Sequence, residues 1–543
     1  MSGVTSEIKK AEFGKWRSFL WPIHGFELKK FIPMFLLLFF INFNYTVARD
    51  TKDALIVTAP GSGAEAIPFL KVWGVLPIAV LFMIVYSKLS NIMSKPKLFY
   101  SAISFFLLFF ALFAFVLYPF RETLHPTQFA DAMQSALPAG FKGLIAIMRN
   151  WTYALFYVMA ELWGSVALSL LFWGFANDTT KVAEAKRFYA LFGLGANLAL
   201  YVAGEFIARL AKFHSKLPAH VDAWGGTLKW MVVLITIGGM MTMAIYWWIH
   251  KNVLTDSRFY NPAEMQRVKK EKPKMSLKEG FLYLMRSKYI GLLAVLVLAY
   301  GIAINFVEVT WKGQLKLQYP QPTDYLGFMG TFSRVTSIVT ITMMLFVGGN
   351  VIRRFGWKAG ALFTPIALGV TGAIFFLFII FRSSLTPAIA MLGSTPLFLA
   401  VVIGMVQNVL SKSSKYSLFD PTKEMAYIPL DQESKVKGKA AIDVVGARLG
   451  KAGGSVIQQV LIVAFGTLGN ITLIVAALLF FIISGWIVAA SRLGNLFNKL
   501  QSEKEAQEKL EAAEAEAQNA SPVVAKKEKE ATTRTSRSKA SVQ

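Results

Sequence analysis

FNYTVARDTKDALIV, Phe43 to Val57, decides how this chain is read. From Phe31 to Ala48 no side chain carries a formal charge. Arg49, Asp50, Lys52 and Asp53 then arrive together, and the chain is uncharged again through Ala59. An apolar run of that length is of the kind that enters a bilayer. A plain membrane anchor ends in cations alone, so the two carboxylates need another explanation. At about 100° per residue, Lys52, Arg49, Asp53 and Asp50 fall near −60°, 0°, 40° and 100°, on one side of a helix. One side carrying both signs suits a cavity wall: the cations hold an anion, and the carboxylates hold the cations in place. The alternative is a set of charges snorkelling to the external rim.

Working outward, similar apolar runs recur along all 543 residues. The chain is 55% apolar, with a mean hydropathy of +0.48. We count twelve candidate spans, near 31–50, 67–87, 98–119, 151–175, 188–211, 230–249, 289–310, 325–348, 358–381, 388–410, 440–465 and 468–491. Short alternating segments would mark a barrel instead. The expected fold is therefore an all-α polytopic membrane protein. There is no cysteine, which excludes disulfides and thiolate metal sites, and the five histidines show no ligand spacing. No metal and no cofactor is expected. The net charge of +25 lies mostly in loops and tails, which points to membrane topology rather than to nucleic acid.

The cations sort by loop. Lys88/Lys95/Lys97, Lys181/Lys186/Arg187, the segment from Lys251 to Lys288, Arg353/Arg354/Lys358 and the group from Lys412 to Lys439 all fall in even-numbered loops. The positive-inside rule then puts both termini and every even loop in the cytoplasm. The long basic loop follows span six. Two six-helix halves around a charged linker are the major-facilitator plan. The expected parts are a basic N-terminus (1–30), the first half (31–249), the linker (250–288), the second half (289–491) and a charged, partly disordered tail (492–543). The halves echo each other. IleAsnPhe occurs at 41–43 and at 304–306, and six residues after each Phe comes a cation, Arg49 or Lys312. FANDTTKVAE (175–184) resembles FDPTKE (419–424).

A charge at a helix centre costs roughly 2.5–3.5 kcal/mol on insertion scales, so such residues face a cavity or a partner. Glu161 sits near mid-span in AELWGS, as a carrier group or as a structural partner of a cation on another helix. Glu308 has Lys312 four residues on, so a local pair competes with a site role. Glu205, with Arg209 at i+4, reads as structural. Arg334 reads as a site residue or a latch between halves. Asp443, Arg448 and Lys451 fall in span eleven. GARLGKAGG (446–454) is no phosphate loop. Its glycine spacing is one residue short, and Ala452 stands where Mg²⁺ binding needs Ser or Thr. Small residues there suit close helix packing. Arg448 and Lys451 share a face and could meet Arg49 and Lys52 across the cavity. Converging cations imply a multiply charged anion such as a polyphosphate.

RDTKDALIVTAPGSGAEAIPFLK (49–71) resembles the signature region of the ATP/ADP translocases of obligate intracellular bacteria. FGKWRSFLWPI (13–23), AELWGS (160–165), NFVEVTWK (305–312) and ARLGKAGGS (447–455) are similar to further family motifs, and the likeness runs over roughly residues 10 to 495. The chain is similar to chlamydial-type members and plastid carriers; the missing transit peptide favours the bacterial side, and the resemblance then implies a bacterial inner membrane. The resemblance implies import of host ATP against ADP, usually with phosphate, without enzymatic chemistry. It also implies that Lys52, Glu161, Glu308 and Lys451 are essential for transport. The combined expectation is that Arg49, Lys52, Arg448 and Lys451 bind phosphates. Glu161 and Glu308 would couple, and Asp50, Asp53, Lys312, Arg334 and Asp443 would assist. A proton-coupled nucleotide importer, or an exchanger of other nucleotides or of NAD, fits the same framework. An enzyme or a scaffold leaves the intramembrane charges unexplained.

Overall fold

In a bilayer the backbone must satisfy its own polar groups, and a helix does so within one segment. The computed structural model describes residues 21–539 apart from 219, 257, 261–278, 280–285 and 443–446, and no strand occurs among them. In chain order the principal helices are α1 (Leu28–Thr58), α2 (Ala66–Ile92), α3 (Lys95–Leu117), α4 (Trp151–Thr179), α5 (Val182–His214) and α6 (Ala223–Asn252). The second half holds α7 (Lys288–Gln318), α8 (Pro322–Thr342), α9 (Gly349–Ile380), α10 (Pro396–Met425), α11 (Ala447–Phe465) and α12 (Thr472–Lys539).

Each of the twelve sequence segments has a helix, but ten helices among the described residues are long and apolar enough to cross a membrane. Two causes account for the difference. The helix Pro322–Ile380 contains both α8 and α9, and Gly356 breaks it at φ 79°, ψ 176°. A positive φ of that size is readily available only to glycine. The other cause is α11, which is short and begins beside the undescribed residues 443–446.

Two expectations change. α1 runs through Thr58 instead of ending near residue 50, so the whole RDTKD cluster lies inside the helix. α10 runs through Met425, so Lys412 belongs to a helix and not to a loop. In the tail, α12 continues to Lys539 through a stretch rich in the strong helix formers Ala, Glu and Lys. The basic linker and the first twenty residues lie largely outside the described residues.

The two halves repeat one packing plan. α1 packs against α4, α5 and α6, and α7 packs against α10, α11 and α12. Trp163 on α4 donates its indole N–H to the carbonyl of Ile41 on α1 at 3.0 Å. In the second half Trp311 on α7 donates to the Val401 carbonyl on α10 at 2.9 Å. Contacts between halves are duplicated too: α5 lies along α8, and α2 lies against α11. Trp73, Leu108, Phe355 and Phe481 are among the large apolar side chains left exposed, as a lipid-facing surface requires.

The α5–α8 seam is set by two glycines. A Cβ on Gly204 would stand 2.6 Å from the Gly330 carbonyl oxygen and 2.9 Å from the Arg334 backbone nitrogen. A Cβ on Gly330 would stand 2.7 Å from the Ala208 nitrogen. These obstacles are backbone, so they cannot rotate away. Gly204→Ala is expected to cost roughly 1–3 kcal/mol, as overpacking does, visible as a lower thermal midpoint in detergent.

The halves meet tightly at the end of the bundle that carries the odd-numbered loops. Lys316 on α7 donates to the carbonyl of Ser62 in the α1–α2 connection. A Cβ on Gly140 would stand 2.6 Å from the carbonyls of Ile462 and Val463 at the end of α11. At the opposite end, Lys30–Glu184 (2.7 Å), Lys95–Asp178 (2.5 Å) and Lys439–Glu424 (2.6 Å) each stay within one half.

Candidate functional site

Because α1 continues through RDTKD, its charges are carried into the centre of the bundle. Asp50, Lys52 and Asp53 are 0%, 2% and 1% exposed, so the snorkelling alternative is excluded. Burying an ion costs several kcal/mol unless it is paired and hydrogen-bonded. Here each has a partner.

The pairs form one chain of ions. The Lys52 ammonium lies 3.0 Å from Glu161 Oε1 on α4 and 2.8 Å from Asp53 Oδ1. The other oxygen of Asp53 lies 2.8 Å from the ammonium of Lys312 on α7, which lies 3.0 Å from Glu308 Oε1. Asp53 thus bridges two lysines from opposite halves. Three carboxylates face two ammonium groups, so the chain itself carries net negative charge. Its inner members are sealed, whereas its end carboxylates, Glu161 and Glu308, keep 29% and 24% of their side-chain surface. Lys52 also sits 3.8 Å from the centroid of the Tyr157 ring, a cation–π contact worth more in a desolvated site than in water.

A second crossing lies one turn earlier on α1. Arg49 binds Asp50 at 2.9 Å and donates to the Ser333 hydroxyl on α8 at 2.8 Å, and that hydroxyl donates to Asp50 at 2.7 Å. Its counterpart joins α2 to α7: Lys71 donates to Asn305 Oδ1 at 2.7 Å, and Asn305 donates to Ser455 on α11 at 2.8 Å. The approach is permitted by Gly454, whose Cβ would stand 2.9 Å from the Asn305 amide nitrogen. Small residues of α11 therefore serve packing.

Of the residues singled out from the sequence, Arg49, Asp50, Lys52, Asp53, Glu161, Glu308 and Lys312 come together here. The local Glu308–Lys312 pair exists, but Lys312 also reaches Asp53, so it is part of the network. Arg334 is not among them. It binds Glu205 on α5 at 2.6 Å, and Glu205 also holds Arg209, which makes a latch between halves. Arg448 and Lys451 lie on α11, but their side chains are outside the described residues, as is Asp443.

Sequence reasoning missed Asp53 as the bridge, and it missed Lys71, Lys412, Ser333 and Asn305. Lys71 did leave a signal, a lone cation inside the apolar run 67–87. A separate cavity of about 610 Å³, lined by Leu70, Trp73, Leu137, Leu144 and Val158, is apolar and holds none of these charges.

Comparison with known proteins identifies the family and the fold. A family described as "TLC ATP/ADP transporter" matches residues 6–497. The chain is 60% identical over 507 residues to ADP,ATP carrier protein 1 of Chlamydia pneumoniae, covering 93% of this chain and 98% of that one. It is 50% identical over 486 residues to the chloroplastic ADP,ATP carrier protein 1 of Arabidopsis thaliana, covering 90% and 77%. Among solved structures, a bacterial homologue of the iron transporter ferroportin in an inward-facing state is similar in fold. Its TM-score is 0.52 at 14% identity, over 88% of this chain and 100% of that one.

Proposed function

The chain belongs to the TLC ATP/ADP transporter family, and from that premise we propose that it is an antiporter exchanging ATP for ADP across a membrane. The family is one of transporters and not of enzymes. The observation that best supports exchange is the ion chain Glu161–Lys52–Asp53–Lys312–Glu308, which crosses between the halves and carries charge that a passing anion can replace.

In this reading Arg49, Lys52, Arg448 and Lys451 receive the phosphates, and Glu161 and Glu308 compete for the same cations when no nucleotide is present. Carboxylate and phosphate are interchangeable partners for an ammonium, so loading swaps one anion for another and leaves no cation unpaired. An empty carrier that moves without that swap exposes charge to low dielectric, which is costly. Strict exchange follows without ATP hydrolysis.

The charge sorting of the loops supports an inner bacterial membrane with both termini in the cytoplasm. The tightly joined end then faces outward, and the molecule is closed to the outside. Import of host ATP against ADP, with phosphate as a further passenger, is the direction we propose.

The deciding experiment is uptake of labelled ATP into proteoliposomes, empty or preloaded with ADP, with no proton gradient. Uptake confined to ADP-loaded vesicles and insensitive to an uncoupler is expected. Uptake into empty vesicles that needs a proton gradient overturns the reading. Glu161→Gln is expected to reduce exchange at least about tenfold, the equivalent of one charged hydrogen bond of roughly 1.5 kcal/mol. Exchange at the normal rate in that variant refutes the coupling role.

A further inference from the structure

Lysines 71 and 412 stand apart from the other cations near the site. Arg49, Lys52 and Lys312 are each held by at least one carboxylate. Among the described residues, Lys71 has a neutral partner, the Asn305 side-chain oxygen at 2.7 Å. Lys412 has a neutral one too, lying 4.6 Å from the centroid of the Phe332 ring. Both lie within electrostatic reach of Glu308, whose own carboxylate is already taken by Lys312. Neither is sealed: both keep intermediate exposure, unlike Lys52 and Lys312.

An ammonium inside the membrane without a carboxylate is an expensive arrangement, and it becomes favourable when an anion arrives. Lys71 comes from α2 in the first half and Lys412 from α10 in the second. An anion long enough to touch both draws the halves toward each other, whereas a monovalent one satisfies only one. Lysine suits this task as a flexible point charge that follows a phosphate as it moves.

We propose that Lys71 and Lys412 are a pair of phosphate-contacting cations, one from each half, that engage the polyphosphate of the nucleotide before the ion chain opens. Asn305 is the positioning residue for Lys71, and Ser455 orients Asn305. The assignment rests on the ATP/ADP exchange reading and adds to it two contacts with the phosphates.

The test is equilibrium binding by the purified full-length protein in detergent, with ATP, ADP, AMP and adenosine displacing a fluorescent ATP analogue. Lys71→Gln and Lys412→Gln are each expected to weaken ATP at least about tenfold, one charged hydrogen bond's worth, with a smaller loss for ADP. Adenosine binding is expected to stay unchanged. Lys71→Arg and Lys412→Arg are expected to restore most of the ATP affinity. Asn305→Asp leaves Lys71 intact but gives it a carboxylate, and it is expected to copy the Lys71→Gln loss. It serves also where a Gln variant does not fold.

ATP affinity within about twofold of the parent in both Gln variants overturns the proposal. So does an equal loss for ATP and adenosine, which marks damaged packing. If the parent protein binds no adenine nucleotide, the exchange reading fails. Tripolyphosphate then decides the lysines by its effect on the thermal midpoint: a shift in the parent that both Gln variants lose supports the pair, and any other pattern overturns it.

Discussion

Asp53→Asn is expected to abolish ATP/ADP exchange and to lower the thermal midpoint by many degrees. Asp53 is 1% exposed and spends both oxygens on lysines, at 2.8 Å each. Asparagine keeps the shape but offers one oxygen and one NH₂ group. One ammonium then faces a donor, and both lose the formal charge that offset their burial. Breaking a single buried pair by removing one partner costs about 3–5 kcal/mol. Here two pairs share the partner removed. Exchange in ADP-loaded proteoliposomes and melting in detergent measure the two effects. The double variant Asp53→Asn with Lys312→Gln separates the terms, because residues in one network are not additive. It is expected to be more stable than Asp53→Asn alone while remaining inactive. Normal exchange and melting in Asp53→Asn would show that the ion chain is dispensable.

The second large effect concerns the closed end. The natural chain has no cysteine, so a designed pair is free of competing thiols. A Cβ on Gly327, at the start of α8, would stand 3.3 Å from the Cβ of Ala211 at the end of α5. That is close to the separation a disulfide needs, about 3.5–4.5 Å. Oxidised Ala211→Cys/Gly327→Cys is expected to reduce exchange to background, because alternating access requires α5 and α8 to separate at this end. A reductant is expected to restore it. Each single variant should keep most of its activity, since only light van der Waals crowding is added. Full exchange by the oxidised double variant, with the cross-link confirmed by mass, would place the moving seam elsewhere.

Much of the architecture could be read from the residues because it rests on local signals. Helical segments follow from runs of apolar side chains, and both IleAsnPhe copies lead to a cation that enters the central network, Arg49 on α1 and Lys312 on α7. Glu161 and Glu308 stood out because a carboxylate in an apolar run has a cost that only a partner or a ligand offsets. Helix ends were less legible. Span ten was read to residue 410, which counted Lys412 among the loop cations, but the helix continues through Met425 because packing against α8 and α9 sustains it. Span one was read only to residue 50, which left the RDTKD charges at the end of the helix and kept the rim alternative open, whereas α1 runs through Thr58.

The sequence by itself determined that this chain is a bundle of membrane helices in two related halves, with buried charges of both signs, because hydropathy and charge are properties of each segment alone. Only the tertiary structure decided which charges meet. Helical spacing says which side of α1 carries Asp53 but not that Lys312, more than 250 residues away, lies 2.8 Å from it. Arg334 shows the same limit: its charge was visible, yet Glu205 on α5 makes it a latch. Pairing across the bundle depends on how close two backbones come, and glycines at 204, 330 and 454 set that distance through contacts that no single segment contains.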